Sequence, residues 1–418
     1  MTILEDAINE IASREVIKVA THEKIDVEKL LKAISTGQAV IMKREKAKPV
    51  GIGTPLRTKI NVNLGTSSAS INLEEELEKV NTAQKYGADT ISDLSMGGDI
   101  DSIRKYIIKN SMIPITTVPI YQAVVEAKSL KDVSEDIIFK IIEKQIKDGI
   151  SSIVIHAAFS LEDLENMKGK RIMGIVSKGG SFTASIMSNS SIENPFFKNF
   201  DYILDIVKDK DIVLNLGNAM RSGCIHDPVD EFQLSEIRKN KILAQRANNK
   251  GIQVILESLG GHIKASDIIT WVQKHKELTN NRPLFMSGPI PVDFAVGYDH
   301  ISAAIGGAFA TGFGADYLCA ITPAEHLSLP SVEDIKEGLI ACRIAAHVGD
   351  SMKYGLNHLF NDDLEIAKNR FTKNWKKQFE HSIDPEKPKK KHDIEENVCS
   401  MCGKYCALSI SKKILNIR

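Results

Sequence analysis

The sequence predicts an α/β protein built on a (β/α)8 TIM barrel, with a small N-terminal domain and a C-terminal cysteine segment. Two observations predict this class. Between residues 58 and about 330, short β-rich runs alternate with long amphipathic runs, as expected for repeated βα units. The short runs are almost continuously apolar, which is typical of parallel strands buried on both faces.

Nine runs qualify as strands, although the barrel has only eight places. We therefore expect one of them to be an insertion, and the run at 173–179 has the weakest pattern. The candidate strands are 59–65, 89–95, 114–119, 151–157, 173–179, 211–217, 252–258, 284–289 and 316–323. The amphipathic runs between them often end in glycine, as helices that terminate in a left-handed residue do.

Composition shifts divide the chain into four parts. Residues 1–57 form a predicted helical N-terminal domain, which ends in a stretch rich in Pro and Gly. Residues 58–330 form the barrel, and residues 331–382 a helical extension. Residues 383–418 combine a charged linker with the cysteine segment.

Charge and hydropathy limit the partners of the protein. The 54 basic and 54 acidic residues balance, so the overall charge gives no reason to expect a nucleic acid partner. The acidic, helical N-terminus lacks the features of a signal peptide, which predicts a cytoplasmic protein. The weakly charged stretch 301–321 contains four glycines, and we interpret it as a buried helix and strand rather than a membrane span.

A polar or titratable side chain follows nearly every predicted strand. In (β/α)8 barrels the active site lies where strands meet the following loops. Any one of these residues is more often structural, but a complete ring of them predicts a site. The ring comprises Asn63, Asp93, Ser95, Tyr121, His156, Ser177, Lys178, Asn218, Arg221, Glu257, His262, Glu325 and His326.

Two parts of this ring indicate ligand chemistry. The sequence SKGGS at 177–181 offers backbone N–H groups, a hydroxyl and a cation, which suits a phosphate, and Arg221 can bind the same dianion with its planar fork. His262 and His326, with His300 as a third candidate, fit an open metal site.

The tail contains the motif Cys399-x2-Cys402-x3-Cys406. Three thiolates with His392 as a fourth ligand would form a structural zinc site. Alternatively, three cysteines hold a [4Fe–4S] cluster and leave one iron free to bind S-adenosylmethionine, which the cluster cleaves to a 5′-deoxyadenosyl radical. Spacing alone does not choose between zinc and iron–sulfur.

Nine motifs together resemble the family of phosphomethylpyrimidine synthase and 5-hydroxybenzimidazole synthase, which are non-standard radical S-adenosylmethionine enzymes. The resemblance covers roughly residues 55–412. The motifs are KINVNLGTS, GADTISDLS, TVPIYQA, VIHA, VSKGGS, GYDHISAAIGGA, TPAEHLSLP, RIAAHVGD and CSMCGKYC.

The resemblance implies the ligands and the site. It implies 5-aminoimidazole ribonucleotide as substrate, a one-electron donor such as ferredoxin or flavodoxin, and a homodimer in which the mobile cluster segment of one subunit covers the other's active site. Cys399, Cys402 and Cys406 match the [4Fe–4S] ligands, and His262 and His326 match a divalent metal site, for which zinc is favoured. The matching substrate contacts are Asn63, Tyr121, His156, Ser177, Lys178, Gly179, Arg221 and Glu257, with Glu257 and His156 as candidate proton shuttles.

Departures from the thiamine-pathway pattern lead us to expect the 5-hydroxybenzimidazole activity, a step towards the lower ligand of cobalamin with release of formate and phosphate. GNAMRSG replaces GDGLRPG at 217–223, which makes residue 218 Asn, and ESLGGH at 257–262 is one residue longer than EGPGH. Ser92 stands where Met is usual and Phe285 where Tyr is usual. These residues are also substrate-contact candidates, because radical rearrangements depend on atom placement.

Two alternatives remain open from the sequence. The first is phosphomethylpyrimidine synthase, which makes 4-amino-2-methyl-5-hydroxymethylpyrimidine phosphate from the same substrate for thiamine biosynthesis. The second belongs to another class of protein, a nucleotide-binding barrel with a structural zinc tail and no radical chemistry.

Overall fold

The structure, a computed structural model, describes residues 1–392 and 399–416. The chain divides into two compact units, Met1–Lys353 and Tyr354–Arg418. The first unit contains the N-terminal segment and the barrel, and the second contains the cysteines of the tail.

The N-terminal segment contains three helices and a hairpin. The helices are α1 (Ile3–Ile8), α2 (Arg14–Glu23) and α3 (Val27–Ser35), and the antiparallel strands are β1 (Ala39–Met42) and β2 (Val50–Gly53). The sequence predicted helices alone here. The two strands are only four residues each, and β2 contains two glycines, so neither gives a strong β signal.

The barrel is confirmed as eight parallel strands that close in chain order. Most of the strand residues are buried, as the continuous apolar runs predict. Their apolar side chains form one core cluster with those of the surrounding helices. The strands are β3 (Lys59–Leu64), β4 (Thr90–Asp93), β5 (Ile115–Thr117), β6 (Ser152–Ile155), β7 (Val213–Leu216), β8 (Val254–Glu257), β9 (Leu284–Ser287) and β10 (Tyr317–Cys319).

The surplus candidate, residues 173–179, is an insertion and contains no strand. Met173 is exposed, so this run does not enter the buried sheet. Helix formation ends the run, because the Ser177 hydroxyl accepts the N–H of Gly180 at 3.2 Å and caps the helix that follows.

Helices α4 to α15 surround the barrel. Helix α7 ends at Gly149 in the left-handed conformation, with φ of 95°, as the glycine endings predict. The helices are α4 (Leu73–Lys85), α5 (Ile100–Asn110), α6 (Pro119–Ala127), α7 (Glu135–Asp148), α8 (Leu161–Met167), α9 (Lys178–Ser190), α10 (Pro195–Lys198), α11 (Phe200–Lys208), α12 (Glu231–Asn249), α13 (Ala265–Leu278), α14 (Asp299–Gly312) and α15 (Val332–Tyr354).

The weakly charged stretch 301–321 forms most of α14 and all of β10, so the predicted helix and strand are confirmed. The expectation that the helix is buried was wrong in part. Ile301, Ile305 and Phe309 are 49%, 53% and 40% exposed and lie on one face of α14. No helix in the described ranges is both long and apolar enough to cross a membrane.

The second unit is helical where it is described. It contains α16 (Asn361–Thr372), α17 (Trp375–Glu380), α18 (Glu386–Lys389) and α19 (Ala407–Ile414). The predicted linker at 383–398 includes α18, and its residues 393–398 lie outside the described residues.

Candidate active site

His156 and Ser177 contact each other at the carboxyl ends of the strands. His156 follows β6, Ser177 precedes α9, and the Ser177 hydroxyl lies 3.0 Å from Nε2 of His156. Burial, with the positive charge of Arg221 as a smaller cause, lowers the pKa of His156 to about 3. The imidazole is therefore neutral at neutral pH, and its Nδ1 has no hydrogen-bond partner among the described residues.

Two glycines allow the backbone to approach this imidazole closely. A Cβ at Gly179 would lie 2.7 Å from Nδ1 of His156, and a Cβ at Gly217 would lie 2.8 Å from its Cδ2. Real Cβ atoms do not approach other atoms this closely. The imidazole is thus held between the start of α9 and the end of β7.

Lys178 is the first residue of α9 and lies beside Tyr121 of α6. The Lys178 ammonium lies 5.5 Å from the centre of the Tyr121 ring, within the range of a cation–π contact. Burial raises the pKa of Tyr121 to about 12, and the Arg221 charge opposes this rise. The hydroxyl of Ser177, the ammonium of Lys178 and the positive end of the helix dipole therefore meet at one place, which suits a phosphate.

Glu257 lies at the end of β8 within hydrogen-bonding distance of the neighbouring strand. The Asn215 amide donates to its carboxylate at 2.9 Å, and the Asn218 backbone N–H donates at 3.4 Å. Burial raises the pKa of Glu257, while the Arg221 charge and the two hydrogen bonds act in the opposite direction. A buried carboxyl with a raised pKa is suited to proton transfer.

Glu236 is the principal site residue that the sequence analysis missed. Its buried carboxylate accepts three hydrogen bonds from the loop after β7: from the Asn218 amide at 2.6 Å, the Ala219 N–H at 2.7 Å and the Met220 N–H at 3.0 Å. Burial raises the pKa of Glu236 to about 7. One carboxylate within the helical sequence of α12 gives no signal of this role.

Arg221 lies at the end of the same loop. It forms no ion pair with a described residue, yet its charge influences the pKa values of His156, Tyr121 and Glu257. The hydroxyl of its neighbour Ser222 donates to the His262 carbonyl, and the Ser222 backbone carbonyl accepts the His262 N–H at 3.2 Å. These two hydrogen bonds connect the loop after β7 to the loop after β8.

His262 and His326 are brought together as the sequence predicts, with ring centres 5.1 Å apart. Nδ1 of His262 lies 2.5 Å from Asp293, and Nδ1 of His326 lies 3.7 Å from Asp299. Imidazole nitrogens are common ligands of divalent metals such as zinc. No group of three or more His, Cys, Asp or Glu side chains in residues 1–392 and 399–416 has the arrangement of a metal site. The third candidate, His300, lies against Tyr298, with ring centres 6.5 Å apart.

Asn63, Ser92 and Phe285 belong to the barrel strands. Asn61, also missed by the sequence analysis, connects the first two: it donates to the Asn63 side chain at 2.8 Å and accepts from the Ser92 hydroxyl at 3.0 Å. Phe285 stacks on Tyr317 with ring centres 4.1 Å apart. Each of the three side chains therefore has a structural partner within the barrel.

The cysteine segment belongs to the second unit and contains three free thiols. The Cys399 and Cys402 carbonyls accept the N–H groups of Gly403 and Tyr405 at 3.1 and 3.0 Å, which form a tight turn. Hydrogen bonds from the N–H and hydroxyl of Ser409 lower the pKa of the Cys406 thiol. Cysteine thiolates are the usual ligands of iron–sulfur clusters, and three thiols lie within eight residues here. Among the described residues, however, the three thiols do not have the arrangement of a metal site.

A family model and the curated relatives of similar sequence indicate the same family. A model of the radical SAM ThiC family matches residues 2–413. The phosphomethylpyrimidine synthase of Methanocaldococcus jannaschii is 44% identical over 425 residues, which cover 99% of both chains. That of Thermoanaerobacter sp. is 45% identical over 428 residues, covering 99% of this chain and 98% of the relative.

Solved structures are more distant. The dihydropteroate synthase of Yersinia pestis is 12% identical, with a TM-score of 0.42, over 73% of this chain and 96% of that chain. Similarity at this level is too weak to bear on the function.

Proposed function

Since the chain belongs to the radical SAM ThiC family, we propose that it is a phosphomethylpyrimidine synthase, which converts 5-aminoimidazole ribonucleotide to 4-amino-2-methyl-5-hydroxymethylpyrimidine phosphate. One observation carries this proposal: relatives with that name are about 44% identical over essentially the whole chain. The 5-hydroxybenzimidazole activity expected from the sequence departures has less support.

Two residues that differ from the thiamine-pathway pattern, Asn218 and Phe285, have contacts that explain why these differences do not establish the 5-hydroxybenzimidazole activity. The Asn218 amide bonds to Glu236, and Phe285 stacks on Tyr317. Both side chains are therefore engaged within the protein, so a change at either position does not require a different product.

The family implies S-adenosylmethionine and an iron–sulfur cluster. We assign the cluster to Cys399, Cys402 and Cys406, because their thiols are free and closely spaced. When bound, the cluster and S-adenosylmethionine supply the radical that abstracts hydrogen from the substrate. An external donor such as ferredoxin or flavodoxin supplies the electron.

The substrate phosphate binds at the start of α9. Ser177 and Lys178 contribute a hydroxyl and an ammonium, and Gly179 leaves room for the close approach of the backbone. Arg221 adds a guanidinium that forms no ion pair with a described carboxylate. A phosphate dianion would compensate this charge.

The ribose and the aminoimidazole occupy the rest of the ring. Asn63 and Tyr121 supply hydrogen-bonding groups, with Ser92, Asn218 and Phe285 as the adjoining contacts. The free Nδ1 of the neutral His156 can bond to the substrate. Glu257, a buried carboxyl with a raised pKa, receives or returns a proton.

We assign a divalent metal, with zinc favoured, to His262 and His326. The support is the contact between the two imidazoles and the carboxylate at Nδ1 of His262, which fixes the orientation of that ring. A bound divalent ion would polarise an oxygen atom of the substrate.

The homodimer expected from the resemblance is supported by an apolar surface on α14 and α15. Helix α15 packs on α14, since a Cβ at Gly312 would lie 2.7 Å from the sulfur of Met352. Both helices carry exposed apolar residues at helical spacing, and such contiguous surfaces commonly mark an interface between proteins. The residues are Ile301, Ile305, Phe309, Ile344, Val348 and Met352.

Identification of the product tests the proposed activity. The reconstituted protein is incubated without oxygen with 5-aminoimidazole ribonucleotide, S-adenosylmethionine and a reductant, and the products are analysed by mass spectrometry. A phosphorylated pyrimidine supports the proposal. A fluorescent benzimidazole would instead establish the 5-hydroxybenzimidazole activity.

A further inference from the structure

A cavity lies at the opposite end of the barrel from the catalytic ring. It is bounded by α2, the β1–β2 loop and the segments that precede β3, β4, β5, β6 and β7. Its volume is about 1160 Å³, slightly above the usual range of about 300–1,000 Å³ for small-molecule sites. None of the proposed catalytic residues lines it.

The β1–β2 loop forms a fixed wall of this cavity. The Lys43 ammonium lies 3.0 Å from the Asp211 carboxylate, which precedes β7. The Lys48 N–H donates to the Met112 carbonyl at 3.0 Å, before β5. The wall is therefore attached to the barrel at two separated points.

The lining is strongly basic. It contains nine Lys and Arg residues and four Asp and Glu residues. Because Asp211 outside the lining pairs with Lys43, the excess is four positive charges. Two of the four acidic groups are already neutralised at the floor. Glu23 lies 3.4 Å from the Arg57 guanidinium and 3.2 Å from the Lys59 ammonium, and Asp89 also pairs with Arg57.

Apart from the two cations at the floor and Lys43, which pairs with Asp211, the lining cations form no ion pair with a described residue. Lys18, Lys46, Lys48 and Lys210 form no ion pair with a described residue, and all four are exposed. Arg44 is partly buried and bonds only to backbone carbonyls, including that of Ile113 at 3.2 Å. Burial accordingly lowers the pKa of Arg44.

We propose that this cavity binds a small molecule with at least two phosphate groups. One phosphate carries about two negative charges at neutral pH, so a single phosphate would compensate only about half of the excess charge. Lysine ammonium groups bind phosphate as point charges, and Arg44 provides a guanidinium fixed by its carbonyl contacts. The concave shape favours a compact ligand over an extended nucleic acid.

Calorimetric titration with inorganic tripolyphosphate tests this site on the full-length protein. The test variant combines Lys18→Glu with Lys48→Glu, and the control combines Lys29→Glu with Lys140→Glu, two exposed lysines that do not line the cavity. We expect saturable binding to the unmodified protein and to the control. The test variant should bind about tenfold more weakly, since each reversal replaces an attraction with a repulsion.

Two comparisons make the result specific to this cavity. Thermal unfolding without ligand checks that the test variant remains folded. Arg221→Gln should leave tripolyphosphate binding unchanged, because Arg221 belongs to the catalytic ring. Absence of saturable binding, equal losses in test and control variants, loss of binding in Arg221→Gln, or preference for an RNA strand over tripolyphosphate would each overturn the proposal.

Discussion

The Ser177 hydroxyl contacts Nε2 of His156 at 3.0 Å and also accepts the N–H of Gly180 at 3.2 Å. One side chain thus connects the end of β6 to the start of α9. Ser177 therefore has two roles, as the cap of a helix and as a group that faces the proposed phosphate.

We predict that Ser177→Ala lowers the free energy of unfolding by about 1 kcal/mol, because the cap is lost. It should also raise the KM for 5-aminoimidazole ribonucleotide by about tenfold, as expected for one lost hydrogen bond to a charged group. Ser177→Thr keeps the hydroxyl and is the control. Urea unfolding and steady-state kinetics measure the two effects, and an unchanged KM in Ser177→Ala would argue against phosphate binding here.

The buried imidazole of His156 predicts a pH dependence of stability. Its pKa is lowered from 6.5 to about 3 in the folded protein. Between these pH values the imidazole is therefore protonated in the unfolded chain but neutral in the folded protein. The contribution of His156 to stability is therefore fully present above about pH 6.5 and is lost as the pH falls.

Below about pH 6, the free energy of unfolding of the unmodified protein should fall relative to that of His156→Gln. The expected relative loss is about 1 kcal/mol for each pH unit. Urea unfolding at several pH values measures this difference. His226→Gln, at an exposed position, is the control. A difference that stays constant from pH 7 to pH 4 would show that His156 is not held neutral.

Glu236 is predicted to position the loop that carries Arg221. Glu236→Ala leaves three buried donors without their acceptor and should cost about 2–4 kcal/mol of stability. It should also raise the KM for the ribonucleotide, and Glu236→Gln should restore part of the affinity.

The control for this prediction is Glu231→Ala, because Glu231 is exposed and lies in the first turn of the same helix. Kinetics and urea unfolding are measured for all three variants. Lower stability of Glu236→Ala with an unchanged KM would assign Glu236 a purely structural role.

The apolar surface on α14 and α15 predicts the oligomeric state. Charge placed at Ile305 and Val348, which are 53% and 45% exposed, would be buried without a partner in the dimer. Ile305→Lys combined with Val348→Lys should therefore give a monomer. Sedimentation equilibrium measures this, with Ile242→Lys as a control at another exposed apolar position. Dimers in both variants would place the interface elsewhere.

The sequence predicts the barrel because strand burial and helix caps are local signals. The apolar runs identified all eight strands, and the glycine after α7 identified its end. The same logic placed polar side chains at the strand ends and brought His262 near His326. These predictions need only the rule that parallel strands end at one edge.

Other features depend on contacts that are distant in sequence. In the sequence, Glu236 has the pattern of an ordinary polar residue of a helix. Its role depends on the fold, in which α12 lies against the loop after β7. The basic cavity is formed by short segments between residues 14 and 212. The exposed face of α14 was missed because its apolar residues resemble those of a core helix. Periodicity identifies an apolar face but not the partner that covers it.

The central claim is that the three tail cysteines support radical chemistry on the ribonucleotide bound in the barrel. Anaerobic turnover of 5-aminoimidazole ribonucleotide by the unmodified protein and by Cys402→Ala, both reconstituted with iron and sulfide, tests this claim most directly. We predict that the unmodified protein forms the pyrimidine phosphate, and that Cys402→Ala forms none although it still binds the ribonucleotide. Product formation by Cys402→Ala would contradict the account.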